Sequence, residues 1–158
     1  MIGLVHSTNS INTRRLMLGF VAGFLAVLVF HQPVLGLLHV IGLTAGTPYS
    51  FRPLPPFNVP AVLSASFWGG VWGIVFALVH HRFPRGSAYW VAAFLFGAVF
   101  PTLVAWFVVM PMKGMPAGNG WQPASMLTGF LVNGAWGIGT AFFLHRLPGV
   151  LRASRRDI

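Results

Sequence analysis

Acidic side chains are almost missing from this chain. Its 158 residues include one carboxylate side chain, Asp157, next to the C-terminus. Most proton relays, cation-coupled transport sites and carboxylate metal sites would therefore lack their usual side chains. Cysteine is also absent, which excludes disulfides, thiol nucleophiles and thiolate metal sites. Because nucleophile-elbow, Walker and dinucleotide-binding motifs are missing as well, the sequence favours a non-enzymatic protein without a metal site.

Charge of either sign is missing from four long stretches of the sequence. Each stretch reaches the roughly 20 residues that a helix needs to cross a bilayer. Backbone groups in hydrocarbon must bond within their own segment, so such stretches form α-helices. The sequence therefore predicts an all-α membrane protein, a single domain over residues 1–158 with a cytoplasmic tail at 145–158. The predicted spans are residues 16–43, 61–80, 89–112 and 124–144.

The net charge of +9 comes from basic residues that lie on one side of these spans. Under the positive-inside rule, this asymmetry puts both termini in the cytoplasm, as for a multi-pass protein of the cell inner membrane. The placement favours a topology signal, with possible contact to anionic lipid, over nucleic-acid binding. Only Arg52 and Lys113 lie on the other side. The eight remaining basic residues are Arg14, Arg15, Arg82, Arg85, Arg146, Arg152, Arg155 and Arg156.

An internal repeat relates the second predicted span to the fourth. Residues 70–84 align without gaps onto residues 134–148 at a constant offset, and Gly, Trp, Gly, Ile, Ala, His, Arg and Pro recur. The first and third spans match only weakly. Because two crossings separate the copies, the repeat predicts two tandem hairpins in the same orientation, related by a pseudo-two-fold axis along the membrane normal.

Mostly small residues at every fourth position form a ridge on each of the second and fourth spans. The ridges comprise Ala65, Gly69, Gly73 and Ala77 on the second span and Gly129, Asn133, Gly137 and Ala141 on the fourth. Such ridges let helix backbones approach closely in lipid, so we expect these two helices to meet, with Asn133 donating a hydrogen bond across the contact. Trp72 and Trp136 each precede a ridge glycine, which indicates packing beside the contact. An aromatic groove for a lipid, quinone or pigment is the alternative. The residues expected at the helix contacts are Gly69, Trp72, Gly73, Gly134, Trp136 and Gly137.

The first stretch is too long for a straight span, since its residues at 1.5 Å each would extend about 42 Å. Pro33 predicts a kink near His31 and Gln32 and would free the carbonyl of Val29. His31 and Gln32 would then form a polar patch. The patch could be a histidine bonded within the protein, a haem or pigment ligand, or, with Asn133, part of a polar path.

Histidine–arginine pairs recur at the cytoplasmic ends of the second and fourth spans, as His81-Arg82 and His145-Arg146. Cationic groups there complement the helix dipole and reach lipid phosphates. A metal site that also used His80 is the weaker alternative, because the sequence supplies no further ligands.

These features favour a non-enzymatic subunit or assembly partner of a membrane complex, in contact with the bilayer and with other subunits or copies of itself. Two alternatives stay open, a small oligomeric transporter or channel and a haem- or pigment-binding subunit. The loop over residues 44–60 has five prolines and should lie extended along the membrane surface.

Overall fold

The computed structural model describes the backbone of residues 5–147 and the side chains of residues 13–147. Most of the predicted tail therefore lies outside the described residues. Two π-helical segments, Val27–His31 and Ala105–Val109, continue the helices that precede them. A 3₁₀ turn, His80–Arg82, follows the helix Ala61–Val79. The helices are α1 (Val5–Ala26), α2 (Gln32–Val40), α3 (Ala61–Val79), α4 (Ser87–Val104), α5 (Met110–Met112), α6 (Gly118–Trp121) and α7 (Pro123–Arg146).

Four helical stretches in the described part are long and apolar enough to cross a membrane, which confirms the prediction of a helical membrane protein. We call them the first to fourth spans. The first ends earlier than predicted because Gly42 adopts a left-handed conformation (φ 77°) and closes the helix with paired turn hydrogen bonds. The four spans are Thr13–Val40, Ala61–Arg82, Ser87–Met112 and Pro123–Arg146.

Each π-helical segment ends two residues before a proline, Pro33 in the first span and Pro111 in the third. In the first, the N–H of Gln32 bonds to the carbonyl of Val27, five residues back. Proline has no N–H for the next bond in this series. The chain therefore passes the proline by widening one turn, without breaking the helix.

The first and second spans form a hairpin in which glycine backbones touch. A side-chain carbon added to Gly73 would overlap the carbonyl oxygen of Gly19, and one added to Gly23 would overlap that of Gly69. The ring of Phe20 lies directly on Gly70. The ridge of the second span thus packs on its own hairpin partner and not, as was predicted, on the fourth-span ridge. Gly69 also faces the fourth span, since a carbon added to it would meet Nε1 of Trp136 at 3.2 Å.

The third and fourth spans form a second hairpin by the same means. A carbon added to Gly97 would overlap the carbonyl oxygen of Asn133, and one added to Gly137 would overlap that of Ala93. The ring of Phe94 lies on Gly134 as that of Phe20 lies on Gly70. The fourth-span ridge also faces its hairpin partner, and the second and fourth spans meet instead through the rings of Phe76 and Trp136 (centroids 6.3 Å apart).

The two hairpins join mainly where the first span packs on the fourth. Trp136 bonds to the carbonyl of Gly23, and further along both helices the ring of Phe30 lies on Gly139 and packs edge-on against Phe143. The buried apolar cluster at the centre of the molecule comprises Ala22, Ala26, Val27, Phe76, Ala77, Ala93, Phe96, Trp136, Ala141 and Leu144.

A two-stranded antiparallel pair lies in the loop between the first and second spans. β1 (Pro53–Leu54) pairs with β2 (Val59–Pro60). The predicted extended loop thus folds back on itself and leads directly into α3.

Candidate functional site

Gln32 ties the first π-helical segment to the loop that follows the span. Its side chain is 4% exposed, and its Oε1 accepts a hydrogen bond from the backbone N–H of Tyr49 at 2.7 Å. The Tyr49 hydroxyl donates to the carbonyl of Leu28 at 2.8 Å. That carbonyl lies opposite Pro33 in the π-helical register, one residue before the Val29 carbonyl that the sequence predicts to be free. The two bonds hold Tyr49 in a left-handed conformation (φ 49°).

His31 lies beside this contact without taking part in it. Its ring is partly buried, and its Nδ1 is the one buried side-chain nitrogen or oxygen of the described residues that lacks a hydrogen-bond partner. A neutral imidazole with its proton on Nε2 leaves only a lone pair there. Ligation of a metal through Nε2 would move the proton to Nδ1 and bury an N–H without an acceptor, at a cost of about 1–3 kcal/mol.

Asn133 bonds within the second hairpin. Its Nδ2 donates to Thr102 Oγ1 at 2.8 Å, and the Thr102 hydroxyl donates in turn to the carbonyl of Gly129 at 3.3 Å. The predicted cross-contact of Asn133 with the second span is therefore wrong, since its partner lies on the third. The structure does not join Asn133 in one hydrogen-bond network with Gln32, which bonds to the loop at Tyr49.

The two repeat tryptophans have different environments. Trp136 is 2% exposed and its indole N–H donates to the Gly23 carbonyl at 3.0 Å, across the contact between hairpins. Trp72 is partly buried and packs edge-on against Phe96. Packing beside a glycine was the sequence interpretation of both, and Trp136 adds a hydrogen bond that sequence reasoning missed.

Arg15, His80, His81, Tyr89 and His145 lie together at one end of the molecule, which we call the basic end. Here Arg15 from the first span donates through Nε to the carbonyl of Ala77 at 2.9 Å and through Nη2 to Nδ1 of His81 at 3.1 Å. A guanidinium has donors only. Nδ1 of His81 must therefore accept, which places the proton of the neutral ring on Nε2, and the ring is exposed.

His145 occupies the repeat position that corresponds to His81 but has the opposite hydrogen-bond pattern. Its Nδ1 lies 2.9 Å from the carbonyl of Ala141, which can only accept, so Nδ1 carries the proton and donates. In the neutral ring, Nε2 is then an acceptor. Tyr89 and Trp90 pack on the ring, with centroids 4.8 and 5.6 Å away.

The arginines of the two repeat pairs also differ. Arg82 is exposed, with no side-chain contact among the described residues, whereas Arg146 lies over the ring of Phe142 at 5.1 Å from its centroid. His80 contacts the hydroxyl of Tyr89 at 3.3 Å. Within residues 13–147, the structure forms no group of three or more His, Cys, Asp or Glu side chains placed to hold a metal ion.

Sequence reasoning missed four residues that these contacts depend on, and each for a definable reason. Arg15 was interpreted as a topology signal alone. Tyr49 lies in the loop over residues 44–60, and neither Tyr89 nor Thr102 belongs to a motif. One signal was present in the sequence. When the first span is aligned with the third so that Phe20 matches Phe94, Arg15 takes the position of Tyr89, which marks a difference between the two hairpins at this end.

Comparison with known proteins gives no relative. No protein-family model matches the chain, and searches of curated proteins and of solved structures find no match.

Proposed function

We propose that the protein is a non-enzymatic subunit or assembly partner of a complex in the cell inner membrane. What supports this is the use made of the polar groups in its spans. Gln32, Asn133 and Trp136 each bond to a neighbouring helix or loop of the chain. Polar side chains that hold helices together fit a structural role better than a path for a solute.

The outward surface of the spans is consistent with this role. Large apolar side chains with more than half of their surface exposed recur on three spans, among them Met17, Trp68 and Phe100. Such surface lies against lipid, against other subunits or against further copies of the chain. The distribution of basic residues supports the part of this proposal that has both termini in the cytoplasm and the loop at 44–60 on the outer side.

We further propose that the two hairpins are copies of one ancestral hairpin. The backbone contact of Gly23 with Gly73 has its counterpart in the contact of Gly97 with Gly137, and Phe20 on Gly70 has its counterpart in Phe94 on Gly134. Four crossings would give the two copies the same orientation in the membrane. The contact between the hairpins is not duplicated, because Trp72 does not reproduce the bond of Trp136.

An experiment on the native assembly tests the subunit proposal. The full-length protein, tagged and expressed at its natural level, would be purified in mild detergent after brief cross-linking in the membrane, with an unrelated four-span protein as the control. We expect other membrane proteins to co-purify in fixed ratio to this chain and to be absent from the control. A colourless homo-oligomer without partners would contradict the proposal.

Haem or pigment binding through His31 is a second candidate, because its Nδ1 lacks a partner beside a π-helical turn, a feature frequent at functional sites. The proton placement argued above makes it the less favourable of the two. The absorption spectrum of the purified assembly tests it. Visible absorbance that is lost in His31→Ala would establish it, whereas a colourless native assembly would exclude it.

A further inference from the structure

The pairs His81-Arg82 and His145-Arg146 occupy equivalent positions in the sequence, but their surroundings present different hydrogen-bonding groups. At the first, the Arg15 guanidinium uses Nε on a carbonyl and one Nη2 proton on His81, which leaves three of its five N–H donors without a partner among the described residues. The exposed Nε2–H of His81 adds a fourth. At the second, Tyr89 packs on His145 in the place that Arg15 has beside His81, and Nε2 of the neutral His145 ring is an acceptor.

No acid in the described part of the chain can neutralise Arg15, because the only carboxylate side chain of the sequence is Asp157. The carbonyl end of α3 on its own favours cations. Nε of Arg15 bonds to the Ala77 carbonyl there and Nη2 bonds to His81, so two contacts fix the guanidinium. A rigid set of donors around a charge that no carboxylate of the described residues neutralises is suited to a phosphate group.

We propose that Arg15 and His81 form a binding site for the phosphate of an anionic lipid headgroup, and that the His145 end does not. Arg82, exposed beside His81, adds charge to the same end. The assignment of the phosphate to a lipid rests on the proposed placement of this end at the cytoplasmic membrane surface, where anionic lipids attract basic residues. The site itself depends only on the contacts of Arg15 and His81.

Native mass spectrometry of the full-length protein in detergent, titrated with phosphatidylglycerol, tests the site. Arg14→Gln is the matched control for Arg15→Gln, because the two neighbours lose the same charge and Arg14 is exposed. We expect Arg15→Gln to raise the Kd for phosphatidylglycerol by roughly tenfold or more. Arg14→Gln should change it by less than about twofold. Equal losses in the two variants would overturn the proposal, since they would show an effect of net charge alone.

A second pair of variants carries the test if Arg15→Gln fails to fold. His81→Leu should weaken binding, whereas His81→Gln should preserve it, because the amide oxygen can accept from Arg15 while the amide N–H₂ donates outward. His145→Leu should leave binding unchanged. Equal losses in His81→Leu and His145→Leu would contradict the assignment of the site to one end.

Two further ligands identify the source of the phosphate. Phosphatidylcholine should bind more weakly and without dependence on Arg15 if the site takes anionic headgroups. Inorganic phosphate that binds with the same dependence on Arg15 would support the phosphate site and assign it to a soluble anion. The purified protein is used throughout, so these results do not depend on whether partner proteins are found in the membrane.

Discussion

The contacts inside the hairpins and the contact between them are built from different parts. Inside each hairpin, glycines bring two backbones together, and the same arrangement occurs twice, at Gly23 with Gly73 and at Gly97 with Gly137. Between the hairpins, aromatic rings, the indole N–H of Trp136 and the hydroxyl of Tyr89, which contacts His80, make the contact. The difference supports the proposal that the hairpin is the repeated unit, since the contact between the two hairpins depends on Trp136, whose bond Trp72 does not reproduce.

The largest expected effect comes from filling a backbone contact. Gly73→Val and Gly137→Val place side-chain atoms where the carbonyl oxygens of Gly19 and Ala93 lie, and backbone cannot give way as a flexible side chain does. We expect each to lower the free energy of unfolding by about 3 kcal/mol. Unfolding in mixed micelles by added anionic detergent measures it.

Gly129→Ala is the control for this prediction on the fourth span. Its added carbon would meet Thr102 Cγ2 at 3.5 Å, an ordinary contact distance. We expect a change of less than about 0.5 kcal/mol there. A loss as large as that of Gly137→Val would show that the backbone contact is not what stabilises the hairpin.

The sequence predicted the parts of this fold that depend on neighbouring residues. The four spans follow from their length and composition, and the glycine spacing identified which faces pack closely. The same spacing could not identify the partner of each face, because a ridge such as Gly69 and Gly73 fits any helix with small residues at matching positions. The correct partner is the pair Gly19 and Gly23 of the first span.

The sites were harder to predict because their partners are distant in sequence. The bond from Trp136 to Gly23 joins residues 113 positions apart. The sequence around either residue does not predict which partner it bonds. Pro33 does signal a disturbed helix, yet the π-helical register and the bond of the Leu28 carbonyl to Tyr49 follow from the three-dimensional path of the chain. The opposite roles of His81 and His145 likewise depend on contacts that their matching motifs do not reveal.

A second prediction separates the two repeat tryptophans. Trp136→Phe removes the bond to the Gly23 carbonyl and keeps most of the ring, so we expect a loss of about 1–2 kcal/mol in the free energy of unfolding. Trp72→Phe removes no hydrogen bond seen among the described contacts and should cost less than half as much. Equal losses would mean that the indole bond does not stabilise the contact between hairpins.

A third prediction concerns the loop attached to the first span. Tyr49→Phe removes the hydroxyl that bonds to Leu28, and we expect a loss of about 1 kcal/mol together with faster amide hydrogen exchange around Leu28. Tyr89→Phe, which loses a longer contact to His80, serves as the control and should leave exchange near Leu28 unchanged. Unchanged exchange in Tyr49→Phe would refute the proposed tie between loop and helix.

The smallest effect is expected where polar side chains meet inside the second hairpin. Asn133→Ala removes the bond to Thr102, which has no counterpart at Gly69 in the first hairpin. Such bonds contribute about 0.6 kcal/mol on average in membranes, and we expect a loss of this order in the same unfolding assay. Thr128→Ala, whose hydroxyl bonds only to its own helix, should show no loss. A loss above about 2 kcal/mol would show that the hairpins differ more than their glycine contacts indicate.

Cysteine cross-linking tests most directly the claim that the small-residue ridges pack inside the hairpins. The chain has no native cysteine, so paired substitutions with a short bifunctional thiol reagent give an unambiguous result. The account predicts cross-links for Phe20 with Phe67 and for Phe94 with Phe130, whose ring centroids lie 5.9 and 5.6 Å apart. It predicts none for the ridge positions Ala65 and Gly129. A cross-link between Ala65 and Gly129, with none inside the hairpins, would contradict it.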